Sequence, residues 1–125
     1  MDWVIKAVVL AIHDEQLAEH GGLSGTRDIG LLESALARPQ NLAAYGNPDI
    51  AALAAAYAFG IAKNHAFVDG NKRTSSVVTS TFLALNGYDI VADDLTRLDV
   101  WIKLGEGKMT EEELVIWLRS NIAKT

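Results

Sequence analysis

No cysteine occurs among the 125 residues. A disulfide framework and a thiolate-ligated zinc or iron–sulfur site are therefore excluded. Basic charge is also short: eleven Lys and Arg stand against sixteen Asp and Glu, a net charge of −5. That balance argues against a generic phosphate-backbone binder, which needs a basic surface. No apolar run is long enough to span a bilayer. The longest uncharged one, Ile50 to Ala62, is too short and rich in alanine. The start, Met1-Asp2-Trp3-Val4-Ile5-Lys6, lacks the basic region of a signal peptide. Internal repeats and low-complexity tracts are absent too. Half of the residues are apolar and 22% are charged, which excludes a disordered chain. The expectation is one cytoplasmic domain spanning residues 1–125, large enough to bury a core without staples.

What is present reads as helices punctuated by Gly, Pro and Asn. Val4, Ile5, Val8, Val9 and Ile12 form one helical stripe, extended by Leu17 and stopped at Gly21-Gly22. Leu31, Leu32, Ala35 and Leu36 predict a short helix that ends before Pro39. Asn47-Pro48-Asp49 predicts a helix start with Asn47 as cap, proline at the first position and an acid in the first turn. The helix it opens is apolar on all sides and should be central. A second core helix is expected from Asn71 to Leu85, with Val77, Val78, Thr81, Phe82 and Leu85 inward and Asn86-Gly87 as its stop. Asp93 or Asp94 opens another helix, through Trp101 and Leu104 to Gly105. Thr110 and Glu113 form a capping box for a last helix. Tyr88 to Val91 is the only strand candidate, and the loop near Gly22 has room for a short hairpin or flap. The fold class is all-α, a compact bundle of about six helices.

One stretch concentrates chemistry: Lys63-Asn64-His65-Ala66-Phe67-Val68-Asp69-Gly70-Asn71-Lys72-Arg73-Thr74. It links the two most apolar helices. Its local charge is +2 inside an acidic chain, which suggests an anionic ligand. Gly70 and Asn71 precede a helix whose first N–H groups and positive dipole end point into the loop, a ready phosphate cradle. Arg73 can fork two phosphate oxygens, and Lys72 adds a point charge. Asp69 could accept Mg²⁺ together with phosphate oxygens. His65 could deprotonate a hydroxyl, as a histidine side chain can serve as a general base. The parts suit phosphoryl transfer to a nucleophile brought by the substrate. A purely structural reading stays open on these residues alone: a single His between helices often serves packing, and Asp before Gly is an ordinary turn. The stretch is not a Walker loop.

His65-Ala66-Phe67-Val68-Asp69-Gly70-Asn71-Lys72-Arg73 resembles the signature of the Fic/Doc family, His-x-Phe-x-[Asp/Glu]-Gly-Asn-[Gly/Lys]-Arg, with Ala66 where proline is usual. Gly21-Gly22-Leu23, Arg27-Asp28, Gly30 to Leu36 and Arg38-Pro39 resemble the amino-terminal half of its death-on-curing (Doc) branch. The resemblance implies that His65 takes the proton from a protein hydroxyl and that Asp69 holds Mg²⁺. It implies that Gly70, Asn71, Lys72 and Arg73 form the anion hole for the phosphates of ATP, and that Phe67 anchors the loop in the core. The Gly21 to Gly30 region would lie near a flap that positions the target.

Fic adenylyltransferases carry glycine where Lys72 stands, and a second arginine where this chain has Ser76. Both departures look like the Doc branch, which binds the nucleotide the other way round and transfers the γ-phosphate. The resemblance thus implies a toxin of a toxin–antitoxin pair that phosphorylates a threonine of elongation factor Tu and halts translation. Its partner would be a Phd-like antitoxin whose disordered tail folds on binding, since no self-inhibiting [Ser/Thr]-x-x-x-Glu-[Gly/Asn] helix is found. Adenylyl transfer, and an inactive antitoxin-binding module, are the alternatives. His13 and His20, two helical turns and roughly 10 Å apart, are too distant to share a metal ion and read as polar-face residues. Trp3, Trp101 and Trp117 read as packing anchors.

Overall fold

The computed structural model describes the whole chain, Met1–Thr125. Six helices follow in order: α1 (Lys6–His20), α2 (Ile29–Tyr45), α3 (Ile50–Asn64), α4 (Asn71–Leu85), α5 (Asp94–Gly105) and α6 (Glu111–Asn121). Two short strands, β1 (Tyr88–Ile90) and β2 (Ile122–Lys124), pair antiparallel with Tyr88 opposite Lys124. The all-α reading holds. No helix is long and apolar enough to cross a membrane.

The alanine-rich α3 is the central helix, as its all-round apolar sequence predicts. Ala51, Tyr57, Ala58, Ile61 and Ala62 are each at most 1% exposed, and α2, α4 and α6 pack around it. It starts two residues later than Asn47-Pro48-Asp49 suggests. Asp49 is the cap, and its carboxylate accepts from the Ala52 N–H at 2.9 Å. The same carboxylate accepts from Arg119 Nε of α6 at 2.8 Å, so a tertiary ion pair fixes which residue caps.

The second helix does not stop before Pro39. It continues to Tyr45 with Pro39 inside it. Leu32, Ala35, Leu36 and Pro39 are its buried residues, spaced as one helical stripe, and that stripe faces α3. A proline in a helix interior costs roughly 3 kcal/mol. Each buried aliphatic side chain of the stripe contributes about 1.5–3 kcal/mol, so the packed face outweighs the lost hydrogen bond.

The α4 helix has the predicted ends but not the predicted face. Val78 and Phe82 are buried as expected, whereas Leu85 is 49% exposed and Thr74, Ser75, Thr79 and Leu83 lie inside. Two of these hydroxyls are buried because they find partners. Ser75 Oγ donates to the Ala58 carbonyl at 2.7 Å, and Thr79 Oγ1 donates to the Ser75 carbonyl at 2.8 Å. Trp101 Nε1 donates to Ser75 Oγ at 2.9 Å, tying α5 to α4. Trp117 meets Trp101 edge-on at 6.1 Å, and Trp3 stacks on Phe82 at 6.0 Å, so the tryptophans are packing anchors. Asp93 caps α5, and the Thr110–Glu113 capping box opens α6. The β2 strand has no forerunner in the sequence pattern.

Candidate active site

The α3 helix ends at His65, the only non-glycine residue with positive φ (φ 50°, ψ 48°). A left-handed histidine is an uncommon backbone state that its surroundings must enforce. The enforcement comes from Arg27. Its Nε donates to the His65 carbonyl at 2.8 Å and its Nη2 to the Asn64 carbonyl at 3.3 Å, placing a cation on the negative end of α3. Asn64 Nδ2 donates to the Leu31 carbonyl at 3.0 Å, which fastens the same helix end to α2.

The segment before α2 braces the loop. The N–H groups of Arg27 and Asp28 donate to the Ala66 carbonyl at 2.8 and 3.0 Å, and Val68 N–H donates to the Gly25 carbonyl at 3.1 Å. Thr26 and Phe67 form an isolated antiparallel bridge. The hairpin anticipated near Gly22 is therefore not a self-paired one. The segment takes its partner from the loop, 41 positions further along, because residues 65–68 offer the free backbone groups.

Phe67 is 1% exposed and anchors the loop as expected. Its ring lies face to face with His13 of α1, centroids 3.7 Å apart and planes at 9°. His13 is itself only 3% exposed, so the polar-face reading is overturned. Its Nε2 bonds the Asp69 carbonyl at 2.8 Å. A carbonyl only accepts, so Nε2 carries the proton. The face that α1 buries is that of Val9 and His13, with Leu17 a further turn along, and not that of Ile5, which is 60% exposed. The spacing of four between Val9, His13 and Leu17 is the signal that could have found it. His20 remains on the surface beside Glu19.

Asn71 has a different part from the one its place in the motif suggests. Its Oδ1 accepts from Phe67 N–H at 3.1 Å, and its Nδ2 donates to the Phe67 carbonyl at 2.9 Å. The side chain clamps the loop, and what Asn71 can offer an anion is its backbone N–H in the first turn of α4. Gly70 caps that turn at φ 79°, a state that a side chain would strain. Asp69 Oδ1 accepts from Gly70 N–H at 3.0 Å and Oδ2 from Leu23 N–H at 3.3 Å. A Cβ at Gly22 would come within 2.9 Å of Asp69 Oδ2, so the bare Gly22 before Leu23 leaves room for the carboxylate.

His65, Asp69, Gly70, Asn71, Lys72 and Arg73 all line one cavity of about 690 Å³. Neither Lys72 nor Arg73 pairs with a carboxylate, and Asp69 pairs with no cation. The Lys72 stem lies against Gly105 at the end of α5. Arg97 of α5 lines the same cavity and was not singled out from sequence. Lys72, Arg73 and Arg97 face Asp69 and Asp94 there, so the cavity is cationic within an acidic chain.

A histidine in a left-handed turn, a helix start and three cations thus meet around one cavity of a helical domain. The chain belongs to the Fic/DOC family, whose model matches residues 3–83, from α1 through the loop into α4. Over 83 residues it is 47% identical to the protein called Toxin Doc of Mycolicibacterium smegmatis. That match covers 63% of each chain, somewhat under two thirds of the relative's length. Over 100 residues it is 34% identical to the protein called Protein kinase doc of Escherichia phage P1, covering 78% of this chain and 79% of the phage protein.

Proposed function

We propose that the protein is a Doc-like toxin that transfers the γ-phosphate of ATP to a protein hydroxyl, a threonine of elongation factor Tu being the target. The observation that carries this reading is the convergence of His65, Asp69 and the amino end of α4 on one cavity with unpaired cations. In the reaction, a ring nitrogen of His65 takes the proton of the target hydroxyl, whose oxygen then forms a bond to the γ-phosphorus. The bond between that phosphorus and the β,γ-bridging oxygen breaks, and ADP leaves. The N–H groups of the first α4 turn, Lys72 and Arg73 hold the phosphate oxygens as charge shifts towards ADP.

The donor set suits Mg²⁺. Asp69 is a single carboxylate free of ion pairs, and no group of three His, Asp or Glu residues forms a cage. Mg²⁺ commonly binds through one or two carboxylates and substrate phosphates, keeping several waters. Asp69 would hold it, and the ion would supply charge neutralisation on the phosphates.

The relatives' names, Toxin Doc and Protein kinase doc, support a toxin role; the partner in this reading is a Phd-like antitoxin whose disordered tail folds on the toxin. Expression in a bacterium lacking the antitoxin tests it. Growth arrest is expected from the wild type and not from a folded His65→Ala variant. Arrest of equal depth from both would overturn the role of His65 as base.

A further inference from the structure

Arg97 lies outside the segment that matches the family model. It is half-buried and makes no ion pair with any carboxylate. Its protein contacts are all neutral. Nε donates to Ser76 Oγ at 3.0 Å, while Nη2 donates to the Ser76 carbonyl at 2.7 Å and to Ser80 Oγ. The Trp101 ring lies beneath the guanidinium at 5.4 Å. Asp89 and Asp94 act on it only from beyond ion-pair distance. Burial pushes its pKa below the usual arginine value, and the distant Asp89 and Asp94 offset that only in part.

Such an arrangement fixes the orientation of the group and leaves it without an ion-pair partner. Serine hydroxyls, a backbone carbonyl and an indole face satisfy Nε and Nη2, while Nη1 has no protein partner. The residue lines the cavity that also holds Lys72 and Arg73. A desolvated guanidinium without a carboxylate is costly unless an anion completes it. Planar forked donors suit phosphate oxygens above other anions.

We propose that Arg97 is a phosphate-binding residue, brought from α5 and held by Ser76, Ser80 and Trp101, that completes the anion site begun by the α4 helix start. The proposal rests on the nucleotide reading for the identity of the ligand, though not for its chemistry. Any chain of phosphates entering the cavity meets three cations, two from α4 and one from α5.

Calorimetric titration tests it with three probes: ATP with Mg²⁺, inorganic tripolyphosphate and adenosine. R97Q is expected to weaken ATP and tripolyphosphate roughly ten- to hundred-fold, the usual loss for a charge-assisted hydrogen bond. Adenosine binding should not change. R97K loses the same fork to Ser76 and Ser80 but keeps the charge, so it should bind both phosphates more tightly than R97Q. Equal weakening in R97K and R97Q would mean that Arg97 only ties α5 to α4. Unchanged affinity in R97Q would overturn the proposal and leave the nucleotide reading standing. If the wild type binds tripolyphosphate but not ATP, the nucleotide reading fails and the R97Q comparison still decides the role of Arg97. If it binds neither, both fall. A wild-type measurement covers variants that fail to fold: phenylglyoxal labelling located by mass spectrometry. Tripolyphosphate should protect Arg97, and labelling of Arg97 at an undiminished rate would overturn the assignment.

Discussion

His13 Nε2 donates to the backbone carbonyl of Asp69 at 2.8 Å while its ring lies flat on Phe67. One side chain of α1 thus holds two residues of the motif loop, the buried anchor and the candidate metal carboxylate. Neither contact touches the carboxylate itself, so His13 acts by position. His13→Ala removes the stack and leaves a part-buried carbonyl without its donor. A loss of about 2–3 kcal/mol is expected in urea unfolding, together with a large fall in phosphate transfer. Full activity with native stability would show that the loop holds its shape without α1.

Asn71 gives a sharper contrast, because its two possible parts differ in their effect on stability. As a clamp on Phe67, its loss in Asn71→Ala frees an N–H and a carbonyl in a part-buried loop. A destabilisation of about 1–3 kcal/mol is expected, measured by urea or thermal unfolding. A side chain that served only to contact phosphate would leave unfolding unchanged and alter ATP affinity alone.

Asp49 supplies a pH dependence with a definite sign. The Arg119 hydrogen bond first, and the Ala52 N–H next among those that stabilise the charge, hold its carboxyl below the usual aspartate value. A depressed carboxylate stabilises the fold above its unfolded pKa, about 3.9, and that contribution disappears as pH falls through the lower folded value. Wild-type stability should therefore drop below about pH 4 by more than that of Asp49→Asn. The pair is largely exposed, so the difference is small and shrinks in high salt. Parallel pH profiles for the two proteins would remove Asp49 from the acid response.

Where a feature was legible in the sequence, local chemistry decided it. The caps at Asp93 and Thr110, the helix start after Gly70 and the stop at Asn86 each depend on residues within one turn. The motif residues were legible for the same reason, since all lie between positions 65 and 73 and the chain brings them to one cavity. Pro39 misled because a local penalty was weighed without the α3 face that offsets it. Ser75 and Thr79 fell outside the expected inward stripe because hydropathy does not see a carbonyl waiting at Ala58 or one turn back. His13, Arg27 and Arg97 act on the site from 38 to 56 positions away or from another helix, and β2 exists only through β1. Contacts of that range leave at most a spacing, as Val9, His13 and Leu17 do, and no motif.

The central claim is that the terminal phosphate of ATP is moved to a protein hydroxyl by a site built around His65. Its most direct test is incubation of the protein with elongation factor Tu, Mg²⁺ and ATP labelled at either the α or the γ position. Label is expected on the factor from the γ position only, with none when His65→Ala replaces the wild type. Label from the α position would make the protein an adenylyltransferase, and label from neither would contradict the claim.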